Sequence, residues 1–126
     1  MATAHPEPVD LAVAMRWLGG DRRLLLELVG IFMDDSPKRL DSLRVAMSAS
    51  DTGQIERLAH NLKGAAAILG AGDLQSAALA LEDAAHDGHT QNGLQMVARI
   101  AGELDRAMAF FADPGWPEHL DVGATP

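Results

Sequence analysis

The chain has 126 residues, a formal net charge of −8, no cysteine and only 4% aromatic residues. So acidic a chain lacks the cations that nucleic acid and anionic membrane surfaces require. The missing cysteines exclude disulfides and thiol chemistry and remove the commonest structural zinc ligands. The length suffices for one domain with a modest core. That core has to be built from Leu, Ala, Val, Ile and Met, which favours helices packed on helices. No apolar run is long enough to span a bilayer, and "MATAHPEPVD" lacks a signal-peptide pattern. The sequence therefore predicts a cytoplasmic protein whose partner is another protein or a small ligand.

Residues 1–8, with Pro6 and Pro8, read as a flexible lead-in, and residues 9–112 as the folded body. A first helical segment runs from about Val9 to Leu18 and stops at Gly19-Gly20. Asp21 can cap a second, in which Leu24, Leu25, Leu28, Val29 and Phe32 follow helical spacing. Ser36-Pro37 predicts a break or kink, with a third segment carrying Leu40, Leu43 and Met47. Asp51 and Gln54 resemble a capping box for the fourth, which Gly70 and Gly72 close. Asp73 caps the fifth. Thr90 caps the sixth, with a seam of Leu94, Val97, Ala101, Leu104, Met108 and Phe111. Residues 113–126 hold three prolines and two glycines and read as a tail, with Trp116 placed to tack part of it onto the body. No strand pattern competes. The fold class predicted is all-α, an antiparallel four-helix bundle with additional short N-terminal helix segments.

The fourth segment holds the chemistry. At about 100° per residue, Ile55, Leu58, Ala59, Leu62, Ala65, Ala66 and Leu69 share one broad face that must point inward. His60 lies opposite it, flanked by Lys63 and Gly64. An exposed neutral imidazole presents a nucleophilic lone pair at cytoplasmic pH. Lys63 at i+3 can reach a phosphoryl group held on the ring. Gly64 at i+4 leaves room for a partner's active site, although glycine costs a helix about 1 kcal/mol relative to alanine. On the fifth segment, Leu74, Ala77, Ala78, Leu81 and Ala85 face inward, and Gln75, Leu79, Glu82 and His86 form a separate stripe. In an antiparallel hairpin that stripe lies beside His60. Glu82 can then accept a hydrogen bond from the imidazole Nδ1–H and leave Nε2 free to attack.

"AHNLKGAAAILGAGDLQSAALALE" resembles the signature of histidine-containing phosphotransfer (HPt) domains of two-component phosphorelays: His-x-x-Lys-Gly, a small-residue stretch, Leu-Gly, then Leu-Glu on the next helix. Upstream, "GGDRRLLLELVGIFMDDSPKRLDSL" is similar to the family's Gly-Asp, Leu-rich helix, Phe and Leu-x-x-Leu. The likeness runs from about Leu11 to Phe111. It implies a helical bundle that accepts a phosphoryl group from a receiver-domain aspartate, or from a histidine kinase, and passes it to a response regulator receiver. It also implies a phosphoacceptor at His60, a charge partner at Lys63, an access glycine at Gly64 and the histidine's hydrogen-bonding partner at Glu82. Many relatives carry glutamine at that last position; chemotaxis-kinase phosphoacceptor domains carry glutamate. Arg57, Ala67, Gln75 and Leu79 are candidate docking residues. No cofactor of its own is implied, and Mg²⁺ belongs to the receiver. The expected partners are receiver domains and a sensor or hybrid kinase, with no nucleic acid and no membrane.

Other readings stand beside this one. His60 with Lys63 can be an ordinary surface pair in a structural helical adaptor. Glu56 and His60, like Glu82 and His86, are four apart, which raises a metal-binding bundle; inward-facing di-iron sites use Glu-x-x-His instead. His60 is followed by asparagine and no Thr-Pro, unlike a sensor-kinase dimerisation helix. No glycine-rich nucleotide site is present, so the chain is read as a carrier and substrate rather than an enzyme. His5, His86, His89 and His119 read as plain surface residues and the methionines as core filler.

Overall fold

A computed structural model describes residues 7–120. Five helices follow in order: α1 (Leu11–Trp17), α2 (Arg22–Ser48), α3 (Thr52–Leu69), α4 (Gly72–His86) and α5 (Gly93–Ala112). Neighbours in the bundle run α2 to α3, α3 to α4, α4 to α5 and α5 back to α2, so four helices close a ring around one core. The short connections make successive members antiparallel. α1 lies against α3 and, more lightly, α2. The all-α bundle with a short N-terminal helix is thus the observed architecture. The lead-in through Pro6, with His5, and residues 121–126 of the predicted tail lie outside the described residues.

Several boundaries differ from the sequence reading. Ser36-Pro37 does not break the chain: the expected second and third segments are one helix, with Pro37 inside it. A proline there removes a backbone hydrogen bond worth about 3 kcal/mol together with the clash it brings. Burial outweighs this, because Leu25, Val29, Phe32, Leu40 and Leu43 form one continuous buried face on both sides of Pro37. α1 is shorter than expected and is capped by Asp10, whose side chain accepts from the Ala12 N–H.

Asp21 caps α2 as expected, accepting from the Leu24 N–H at 3.0 Å. Asp51 caps α3, accepting from the Gln54 N–H at 3.1 Å. The Gln54 side chain does not return the contact; it takes a hydrogen bond from Arg57 instead. Asp73 does not cap α4. The N-cap is Ala71, Gly72 is already helical, and Asp73 pairs with Arg106 of α5 at 3.2 Å. Nor does Thr90 cap α5, whose N-cap is Asn92. The α5 seam is rotated too: Gly93, Val97, Ile100, Leu104, Ala107 and Phe111 are buried, while Leu94 is 79% exposed. At the start of the helix Gly93 sits close on the Met47 thioether, where a Cβ would overlap the sulfur.

The end of the body is packed. Trp116 is buried with its ring 5.1 Å from Phe111, and Phe111 meets Phe32 edge-on at 5.9 Å. Residues 118–120 form a helical turn that buries Leu120. Five methionines (Met15, Met33, Met47, Met96 and Met108) pack half-buried around the core.

α3 ends at Gly70, with φ 74°. The Asp10 N–H donates to the Gly70 carbonyl at 2.8 Å, so the start of α1 is tied to the end of α3. A Cβ on Gly70 would overlap the Asp10 backbone, whereas a Cβ on the helical Gly30 would meet nothing within 4 Å. We expect Gly70→Ala to destabilise by more than the 1–2 kcal/mol (about) that left-handed backbone alone costs a residue with a side chain. Gly30→Ala should stabilise by up to about 1 kcal/mol. Urea unfolding of both variants checks the pair, and equal effects would contradict the close approach at Asp10.

Candidate functional site

α3 and α4 share the longest packed surface in the bundle. The sequence makes this possible with small residues: Ala59 and Ala66 on α3 and Ala77 and Ala78 on α4 are fully or almost fully buried. Ile55, Leu58, Leu62 and Leu69 complete the inward face of α3, and Leu74, Leu81 and Ala85 that of α4. The inward faces match the sequence reading, except that Ala65 is half-buried at the edge.

His60 is therefore turned outward, with 61% of its side chain exposed. Its Nδ1 lies 2.7 Å from Glu82 Oε2 across the α3–α4 seam. The other oxygen, Glu82 Oε1, lies 2.7 Å from Lys63 Nζ. One carboxylate, only 16% exposed, thus serves both an imidazole and an ammonium. The Lys63 contact, with a smaller contribution from His60, holds the Glu82 carboxyl below the usual glutamate range against the desolvation that would raise it. An ionised carboxylate only accepts, so Nδ1 carries the ring proton, and in the neutral ring that tautomer leaves the lone pair on Nε2.

Gly64 follows one turn later, and a Cβ built there would meet nothing within 4 Å. Packing therefore does not require this glycine. Gly30 and Gly102 are equally open, so what distinguishes Gly64 is its place beside His60. Of the docking candidates, Arg57, Gln75 and Leu79 are exposed and Ala67 is half-buried. Arg57 is turned back to Gln54, away from His60. Ile68, two turns along from His60 and 38% exposed, adds apolar surface to this face that the sequence reading passed over.

Two contacts here were not anticipated. Lys63 is engaged by Glu82 rather than held free. His86 is not a plain surface residue, since its Nδ1 lies 3.0 Å from Glu56 Oε2. The repeated Glu-x-x-x-His spacing was the available signal, but pairing across helices depends on a register that spacing alone does not give. His119 also has a partner, its ring meeting Phe110 edge-on at 6.3 Å. Among the described residues, no three His, Cys, Asp or Glu side chains gather as metal ligands, and no helix is long and apolar enough to cross a membrane.

Comparison with known proteins adds two findings. A family model described as "Hpt domain" matches residues 27–110. The fold is similar to the crystal structure of histidine-containing phosphotransfer protein B from Pseudomonas aeruginosa, with a TM-score of 0.79 at 23% identity, over 94% of this chain and 98% of that one. No curated protein matches in sequence.

The depressed Glu82 pKa has a sign that can be tested. A carboxyl whose folded pKa lies below its unfolded value adds stability above the unfolded value, and that stability is lost as pH falls through the folded one. Glu82→Gln should thus be less stable than the parent at neutral pH, and the gap should close as the solution is acidified through and below the ordinary glutamate range. Urea unfolding at pH 7 and at successively lower pH measures it; a gap independent of pH would show that the ion pair adds nothing.

Proposed function

The chain belongs to the Hpt domain family, whose members carry phosphoryl groups in phosphorelays, and from that premise we propose that it accepts a phosphoryl group on His60 from a receiver-domain aspartate or a histidine kinase and passes it to a response regulator receiver. The observation that carries this reading is His60 itself: an outward imidazole with Nδ1 on an ionised carboxylate and Nε2 open to solvent.

The Nε2 lone pair attacks phosphorus, the N–P bond forms, and the acyl P–O bond of the aspartyl phosphate breaks, returning the aspartate as a carboxylate. The ring becomes cationic as this happens. Glu82, 2.7 Å from the Nδ1 proton, offsets that charge through an existing contact, so little rearrangement accompanies the reaction. Lys63 starts on Glu82 and has a flexible four-carbon stem, which lets its ammonium turn to the phosphoryl oxygens once they arrive. Onward transfer runs the same steps in reverse toward the next aspartate. Mg²⁺, held by the receiver, supplies charge neutralisation at the phosphoryl oxygens. The chain's own part is to hold a nucleophile in position, as a carrier and substrate acting in the cytoplasm.

His60→Gln should abolish rapid phosphoryl acceptance from a receiver and keep the helical circular dichroism of the parent, because the side chain lies outside the core. The assay is incubation with a phosphorylated receiver, reading acid-labile, base-stable label on the chain. Full acceptance by the variant would overturn the assignment, and loss of helical signal would contradict the outward placement of His60.

Gly64→Ala should raise stability by up to about 1 kcal/mol, since the new methyl has open space and alanine is the better helix former. The same methyl stands on the partner's approach path, so transfer should slow, and larger residues should slow it further in order of size. Transfer at the parent rate in single-turnover assays would mean that access is not the reason for this glycine.

A further inference from the structure

Glu56 and His60 on α3 repeat the spacing of Glu82 and His86 on α4, and the two helices run in opposite directions. Each histidine therefore meets the other helix's glutamate. His60 Nδ1 lies 2.7 Å from Glu82, and His86 Nδ1 lies 3.0 Å from Glu56. The phosphotransfer site is in this sense doubled across the seam. The second imidazole is even more open than the first, with 72% of its side chain exposed. Its Nδ1 is held by a carboxylate, which leaves Nε2 as the nitrogen presented outward.

We propose that His86 is a second phosphoryl-accepting imidazole, slower than His60, which takes a phosphoryl group on Nε2 from an activated anionic donor while Glu56 holds its Nδ1 proton. The chemical requirement is the one met at His60. N-phosphorylation makes the ring cationic, and a carboxylate already seated on Nδ1 stabilises that charge. The groups around the ring also set its basicity. The hydrogen bond to Glu56, then the charges of Glu56, Asp87 and Asp83, raise His86 above the usual imidazole range. Once deprotonated, a more basic ring nitrogen is a stronger nucleophile.

The second site lacks what Lys63 supplies. The position three residues after His86 is His89, beyond the end of α4, and Asp83 and Asp87 place like charge near an incoming anion. This is why His86 is the slower of the two. With phosphoramidate as donor, the N–P bond to His86 forms as the donor's own P–N bond breaks. Its nitrogen, protonated in the donor, leaves as ammonia, and the Nδ1 proton stays on the contact with Glu56.

The test uses the His60→Gln chain with phosphoramidate at pH 8, where more of the imidazole is neutral than at pH 7, and maps label by mass spectrometry without acid. His89 and His119 are internal standards: both are exposed, and neither has a carboxylate hydrogen-bonded to its ring among the described contacts. His86 should be labelled several-fold faster than either, a comparison that needs no further variant. Adding Glu56→Gln should bring His86 down to their rate. Labelling of His86 no faster than that of His89 and His119, or an unchanged rate in the Glu56→Gln chain, overturns the proposal. Label on His60 in the parent chain reports on the preceding reading separately.

Discussion

The distance between α3 and α4 governs everything at His60. A 2.7 Å contact between side chains on two different helices needs backbones close enough for an imidazole and a carboxylate to meet without stretching. Ala59 and Ala66 on α3 and Ala77 and Ala78 on α4, all buried, suit that approach, since none of them projects beyond a Cβ. Leu62, Leu74 and Leu81, fully or almost fully buried, complete the inward faces of the two helices. The alanines that look bland in the sequence thus favour the close approach that the polar pair on the outside needs.

Glu82 turns that geometry into chemistry because it is shared. Its two oxygens separate the tasks: one fixes the imidazole tautomer, and the other holds the ammonium in reserve. Both partners also favour the ionised carboxylate, Lys63 most of all. An amide could accept the Nδ1 proton but would bring no charge to hold Lys63 or to offset a cationic ring. A glutamate here can therefore supply more than orientation, with its side chain only 16% exposed.

The bundle was legible in the sequence to the extent that burial follows a simple period. The inward faces of α3 and α4 could be read residue by residue, because each is a clean helical stripe of Leu, Ile and Ala. The outward placement of His60 followed from the same stripe. Where several forces compete, local rules misled. Pro37 reads as a break, yet the buried face of α2 carries the helix through it. Leu94 reads as core, yet Ile100 and Ala107 join Val97, Leu104 and Phe111 on the buried face of α5 and Leu94 faces solvent. Asp73 reads as a cap, but a nearby Arg106 on α5 claims its carboxylate. The Glu56–His86 contact was out of reach for a related reason. Spacing fixes which residues share a helix face, but only the register between helices decides which pair meets.

A phosphoryl carrier with a net charge of −8 presents an electrostatic difficulty, since both the donor and the group it delivers are anionic. Total charge does not decide the matter. Salt screens exposed charges beyond about 8 Å at physiological ionic strength, so the incoming group senses mainly its immediate surroundings. In the transfer proposed at His60, Lys63 would answer the phosphoryl oxygens, and Glu82 is turned to the far side of the ring, on Nδ1 rather than Nε2. In the proposed transfer Glu82 stands where the product needs a negative charge, and the Lys63 ammonium can turn to where it needs a positive one. At His86 the same ring and carboxylate are present, with Asp83 and Asp87 beside them and no lysine in the corresponding place. The two histidines thus differ less in how their rings are held than in the sign of the charge beside them, and in the roles proposed for them that difference is what would rank them.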